Sequence, residues 1–470
     1  MLSVVNNSTS LNAQANLSRA GSALAKTTER LSSGLKINRG ADGPAALVIS
    51  EKQRAQIAGL RQAIDNTDKA VSMVQTAEGA LNEINSLLVK VRSLAIDSAN
   101  TGVNDADALA ANQAEIANAL ETINRIANNT QFGTKKLLDG SGGITGTSDD
   151  ADVSVLKATS GTKAGTYAVE ITTEGERAVV GAGVAQASDL AADETLTVNG
   201  VAIQLESGMS QAEVVSRIND FSSQTGVTAE VVTGLTRVYS QAFGSDAELS
   251  IVSNVAAAGT SSGFGTTLAT DTGVNVVGTI DGDTYTGKGN VLTATAGNAK
   301  GLTVQFAADS ADAVLTVAAG AQGNVTVVDN SLVFQIGANA NQTANVAIGK
   351  MNTDALGVAV SGNQFNSLNE IDVTSGSKAQ DALGVIDAAI NNVTNLRGTL
   401  GAFQQNTLQA TASNLQSTLE NTVNAESVIR DTDFAEEIAN LTKNQVLVQA
   451  GASVLKTANQ QPQLVLSLLQ

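Results

Sequence analysis

Both ends of this 470-residue chain carry long runs with apolar residues at three-, four- and seven-residue intervals, interrupted by only two prolines in the whole sequence. That periodicity limits the fold more than any other feature. From Ile57 the apolar positions run Leu60, Ile64, Val71, Val74, Leu81, Ile84, Leu88 and Val91, which predicts one long amphipathic helix. Pro44, following Asp42 and Gly43, suits a first helical turn, and the helix is expected to end near Asn100 with Gly102 as a left-handed cap. At 1.5 Å per residue it would be roughly 85 Å long. A second helix is expected on Leu109, Ile116, Leu120 and Ile123, and TQFGTKKLLDG, from Thr130, reads as a turn with short strands.

Toward the other end Leu383, Ile386, Ile390, Val393, Leu396, Leu400 and Phe403 repeat the spacing and continue through Leu408, Leu415 and Leu419. After the IRDTD break, Asp433 followed by Glu436 predicts a capping box opening a final helix that carries Phe434, Ile438, Leu441, Val448 and Leu455. The first forty residues have their own stripe at Leu17, Leu24 and Leu31. An isolated helix of this kind cannot bury its stripe by itself. The two ends must therefore pair with each other, with copies of themselves, or with both. An ending that stays apolar through Leu466 and Leu469 would leave exposed seams on a lone molecule, and such seams mark contacts. Self-assembly is the activity these ends imply.

Composition narrows the remainder. The length suggests two to four domains. With 42% hydrophobic residues but 3% aromatics and no Trp, packing must rest on Ala, Val, Ile and Leu, which suit helix seams and thin β-layers. The absence of His and Cys removes thiol and imidazole nucleophiles, disulfides and the zinc sites built on those ligands. A formal charge of −18 opposes phosphate backbones and anionic lipid surfaces, so neither nucleic acid nor membrane is expected as a partner. The start lacks a basic region followed by a continuous apolar stretch, and no run is long enough to span a bilayer. If secreted, the chain is expected to leave without a cleaved signal.

Residues 150–330 have a different texture, rich in Gly, Thr and Val. Strands are expected at Thr195–Val198, Val201–Leu205, Glu248–Val252, Val314–Val317 and Val325–Val328, with a short helix from about Ser210 to Asp220. Asn199-Gly200 between two such runs is a two-residue hairpin signal. GDTYTGKG from Gly282 approaches a phosphate-binding loop, but Gly289 stands where Ser or Thr is required and no long helix pattern follows, so a hairpin turn is the better reading. Asp281 and Asp283 lack an acidic residue at the closing position of a calcium loop, which is Leu292. Paired carboxylates such as Asp149 with Asp150, or Glu436 with Glu437, sit in polar or helix-start contexts with no apolar pocket to raise a pKa. No catalytic, metal or cofactor role is expected.

The stretches RLSSGLKIN (30–38), TAEGALNEIN (76–85), VRSLAIDSAN (91–100), IRDTDFAEE (429–437) and ANQQPQLVLSLLQ (458–470) closely resemble bacterial flagellins, over roughly the first and last 140 residues. The resemblance implies a multidomain α plus β fold: paired N- and C-terminal long α-helices forming a coiled-coil core, with a β-rich solvent-facing insert. It implies that 1–42 with 425–470 form the inner coiled coil, 43–145 with 331–424 the surrounding helical domain, and 146–330 the surface insert, within which Leu190 to Asn254 resembles a unit of flagellins and hook proteins. The implied function is a structural subunit of the extracellular flagellar filament, polymerising with copies of itself through Leu17, Leu24, Leu31, Phe434, Ile438, Leu441, Val448, Leu455, Leu466 and Leu469. Implied partners are an export chaperone, the type III export apparatus, and hook-associated and cap proteins. A host flagellin-sensing Toll-like receptor is a further implied partner, with Lys90, Val91, Arg92, Leu94 and Glu115 as contact candidates. The alternatives are a hook-filament junction protein and a filament-displayed adhesin acting through the insert.

Overall fold

A computed structural model describes residues 7–100, 102–360 and 363–468, with side chains through residue 460. Helices α1 (Ser8–Ser33), α2 (Pro44–Ser98) and α3 (Ala106–Asn129) open the chain, α4 (Gln211–Asp220) and the one-turn α5 (Ser222–Thr225) lie within the strand-rich middle, and α6 (Gly376–Ala402), α7 (Ala410–Arg430) and α8 (Phe434–Leu468) close it. The chain divides into two compact units, one of residues 1–68, 335–343 and 409–470, the other of 69–334 and 344–408.

In the first unit α1 lies antiparallel against α8. Asn7 caps α1 by accepting from the Ser10 amide at 3.0 Å and donates its side-chain amide to the Ala458 carbonyl at 2.9 Å. Gly34, at φ 73°, supplies the left-handed cap at the far end of α1, its N–H donating to the Arg30 carbonyl. The links leaving α1 and α7 then run side by side, with Lys36 N–H donating to Arg430 O at 2.7 Å and Thr432 N–H to Gly34 O at 3.0 Å. Farther along, Leu60 and Ala63 of α2 meet Leu415 of α7, with Ile64, Leu419 and Ala338 packed around them. The 336–342 turn comes close enough here that a Cβ on Gly59 would sit 3.2 Å from that of Ala338.

In the second unit the remainder of α2 buries Val74, Leu81, Ile84, Leu88 and Val91, α3 buries Leu109, Ile116, Leu120 and Ile123, and α6 buries Ile386, Val393 and Leu400. These are the stripes read from the sequence. A five-stranded antiparallel sheet, in spatial order Asp283–Thr286, Val277–Ile280, Gly165–Thr173, Gly320–Asp329 and Ile144–Ser148, shares a core with a three-stranded one around Ile171, Ile280, Leu292, Phe306 and Val325. A second β region joins the four-stranded sheet Ala269–Thr272, Glu248–Ser253, Glu194–Val198, Val201–Leu205 to α4 over Leu196, Ile203, Val214, Ile218 and Leu249. Asn199 (φ 49°) and Gly200 (φ 82°) form the predicted two-residue turn, both left-handed as a type I′ hairpin requires. GDTYTGKG is likewise a hairpin strand, entered through left-handed Asp281 and Gly282.

At the exit from α2 the Asn104 side-chain amide donates to Asp97 O at 2.5 Å; the left-handed cap expected at Gly102 depends on its bond to residue 101, which lies outside the described residues. Three local expectations are revised. Val314–Val317 forms only isolated bridges, Leu315 to Glu176 and Thr316 to Ala308, because each pairs with a different strand end. Between Asp433 and Glu436 the bonding observed runs one way, the Asp433 carboxylate accepting from the amides of Ala435 (2.8 Å) and Glu436 (3.3 Å). Finally, the apolar stripe does not continue through Leu408 on one α-helix: Phe403–Gln409 is a π-helical segment, which fits the five-residue gap between Phe403 and Leu408.

Candidate functional site: the paired terminal helices

Two helices alone can only half cover each other's stripes, and the α1–α8 pair shows it. Leu17, Leu24 and Leu31 on α1 and Leu441, Val448 and Leu455 on α8 are all half-buried. The register is set by Leu17 against Gly451, where a Cβ would come within 3.3 Å of Leu17 Cδ1, and by Asn444, whose side chain donates to Thr27 Oγ1 at 3.1 Å. Nearer the links, Glu437 is buried with Arg30 at 3.9 Å, and Lys26 pairs with Asp42 at 2.8 Å. The hydrogen bond from Lys26, aided by the Arg39 amide, holds the Asp42 carboxyl below the usual carboxylate range. Glu51 is also held low, first by Arg54 and then by Arg430, which reaches it from α7 at 3.0 Å.

Outside that seam lies a set of apolar side chains that stay exposed among the described residues. Leu11, Phe434, Ile438, Val446, Leu447 and Val454 expose between 47% and 64% of their surface, and Val428 exposes 84%. Phe434 and Ile438 were expected from the heptad; Leu11, Val428, Val446, Leu447 and Val454 were missed. A signal was present. Val446, Leu447 and Val448 are consecutive, and three adjacent residues of a helix fan over roughly 200°, too wide for one partner. Leu466 lies in α8 with its side chain outside the described residues, and Leu469 lies outside them altogether.

The second candidate patch is on α2 and α3. Lys90 and Glu115 form an exposed ion pair at 2.6 Å, and Arg92 donates to Asp387 of α6 from Nε at 2.7 Å and from Nη2 at 3.4 Å. The Asp387 hydrogen bonds raise the Arg92 pKa above the ordinary arginine value. Leu94 is half-buried, but Val91 is wholly buried. Val91 can therefore support such a patch only from beneath, a correction to its place among the contact candidates.

Among the described residues no group of three or more His, Cys, Asp or Glu is arranged to hold a metal, and no helix is long and apolar enough to cross a membrane. The arrangement that stands out is an antiparallel helix pair bearing uncovered apolar residues, which defines a structural subunit built to associate with copies of itself. Residues 4–142 match the bacterial flagellin N-terminal helical region, 383–469 the C-terminal helical region, and 193–254 the flagellin hook IN motif. The B-type flagellin of Pseudomonas aeruginosa is 35% identical over the full length of both chains. The flagellin of Clostridium tyrobutyricum is 32% identical over 96% of this chain and 97% of its own, and that of Salmonella typhimurium 31% over the whole of both. The chain belongs to the bacterial flagellin family, and is a structural subunit of the extracellular flagellar filament.

Proposed function

We propose that filament contacts are made by the terminal helix pair, with two sets of residues in different roles. Leu17, Leu24, Leu31, Leu441, Val448 and Leu455 hold α1 on α8, while Phe434, Ile438, Leu466, Leu469 and the uncovered Leu11, Val446, Leu447 and Val454 meet neighbouring copies. The observation carrying this reading is the apolar surface that α8 presents away from α1. A head-to-tail contact whose rotation does not close gives an open helical tube rather than a ring. In that tube 1–42 with 425–470 form the inner layer, 43–145 with 331–424 the layer around it, and 146–330 the face toward solvent. Hook-associated and cap proteins at the filament ends, an export chaperone and the type III export apparatus complete the partners. The role is structural, with no reaction assigned to it. A chain ending at Gln449 tests this: it should form no filaments in a sedimentation assay while its β-rich region stays folded by circular dichroism, and filaments of normal length from that chain would defeat the proposal.

A receptor contact at Lys90, Arg92, Leu94 and Glu115 is the second role proposed, for a flagellin-sensing Toll-like receptor. It is supported by the half-buried Leu94 between charges already held in place by Glu115 and Asp387. Leu94→Ala, checked for folding, should reduce receptor signalling; unchanged signalling would remove the assignment.

A further inference from the structure

The second unit contains an arginine with no ion-pair partner among the described residues. Arg177 lies directly across the ladder from Phe243, and its guanidinium carbon stands 4.4 Å over the Phe243 ring and 5.4 Å from the Tyr239 ring. The other arginine of this sheet, Arg237, is paired with Glu230 and with Asp312, the latter at 2.8 Å. Among the described residues Arg177 has no ion pair, its side chain donates no hydrogen bond, and its Nε is buried without a partner. Burial pushes its pKa below the ordinary arginine value, with Tyr239 opposing the fall. Buried donors of this kind are ordinarily satisfied; Arg177 also lines a cleft, where an acceptor from outside can meet its guanidinium.

Such a cavity is present. A cleft of about 330 Å³ opens beside Arg177. The acids that line it are already occupied or suppressed. Asp372 is paired with Lys378 at 2.8 Å; Glu370 accepts from the Asn366 amide at 2.9 Å, and burial pushes its carboxyl above the usual range. What negative charge they keep opposes a doubly charged guest such as phosphate more than a singly charged one, and a single carboxylate matches the planar fork of one guanidinium. The rest of the lining is largely carboxamide, including Gln241, Gln305 and Gln364, which suits hydroxyl groups rather than an apolar body.

We propose that this cleft is a binding site for a monocarboxylate of saccharide size, a uronic acid, with Arg177 receiving the carboxylate. The site is separate from the terminal helices and adds a ligand function to the filament subunit.

The test uses the full-length unpolymerised chain and sodium glucuronate, with glucose as the uncharged control. Titration of glucuronate should shift the Arg177 Nε–H nitrogen-proton resonance, identified by its loss in Arg177→Lys, and glucose should not. Arg177→Met, which keeps the stem over Phe243, should weaken glucuronate binding by roughly tenfold to a hundredfold, and Arg177→Lys should also weaken it by removing the fork. Failure of the wild-type resonance to move, an equal response to glucose, or glucuronate affinity unchanged in Arg177→Met would each overturn the proposal. Because the resonance is read on the wild-type protein, a misfolded variant does not spare it.

Discussion

Lys288 sits on the segment that first resembled a phosphate loop, and its ammonium serves acceptors of the protein's own 363–365 segment. It donates to Asn363 Oδ1 and to Phe365 O, each at 3.1 Å, and burial pushes its pKa from 10.5 down to about 8, with Asp246, Asp381 and Glu370 opposing the fall. Below about pH 8 folded and unfolded chains both hold the proton. Between that point and 10.5 the unfolded chain binds more protons, so stability rises with pH. The phenols of Tyr167, Tyr239 and Tyr285 are all raised by burial, so above their ordinary value of 10.0 the unfolded chain loses protons first and stability falls. The urea midpoint of the second unit should therefore climb between about pH 7.5 and 9.5 and turn down beyond about 10. In Lys288→Met most of the climb should vanish; a climb of the same size there would place its origin elsewhere.

Glu194 is a second residue whose role only the folded chain reveals. Its buried carboxylate accepts from Ser253 Oγ at 2.5 Å, from the Ser262 amide at 2.8 Å, and from Ser262 Oγ. Glu194→Ala leaves those donors unsatisfied and should cost about 2–3 kcal/mol, read as a lower unfolding midpoint. Nothing in the local sequence marks Glu194, because the serines that donate to it lie some sixty positions away.

Among the elements, the Asn199-Gly200 hairpin was legible because two residues between two strands leave few backbone solutions, and Gly fits the left-handed one. A Cβ at Gly200 would meet nothing within 4 Å, so replacing it isolates the backbone cost. Gly200→Val should destabilise by about 1–2 kcal/mol, with a matching drop in melting temperature; no change would mean the turn tolerates φ 82° in a β-branched residue. Long stripes were legible for a related reason: α2 and α3 each repeat one contact rule over many turns, so single exceptions do not hide it. Phe403–Gln409 was not recognised as π-helix, although the five-residue step from Phe403 to Leu408 was visible. A seven-residue rhythm on either side masked a local change of winding.

For the whole molecule the decisive property is apolar surface that a single chain leaves uncovered. Val446 and Val454 are exposed in the subunit, so Val446→Asp with Val454→Asp should change subunit stability by no more than about 0.5 kcal/mol. The same pair should raise the critical concentration for filament growth by at least about tenfold. Sedimentation across a concentration series measures this, and an unchanged critical concentration would show that these valines are not at a subunit contact.

The amino-acid order alone determined that both ends are helical, that a β-rich region separates them, and that His and Cys chemistry is absent, because each of these depends on local period or on composition. Tertiary structure decided which face of α8 meets α1 and which stays open, and that Val91 is buried while Leu94 is not. It also decided that Arg177 lines a cleft without an ion-pair partner among the described residues. A period states that a residue belongs to a stripe. What covers the stripe is set by segments more than four hundred residues away in the chain, as with Asn7 and Ala458, and burial depends on that neighbour.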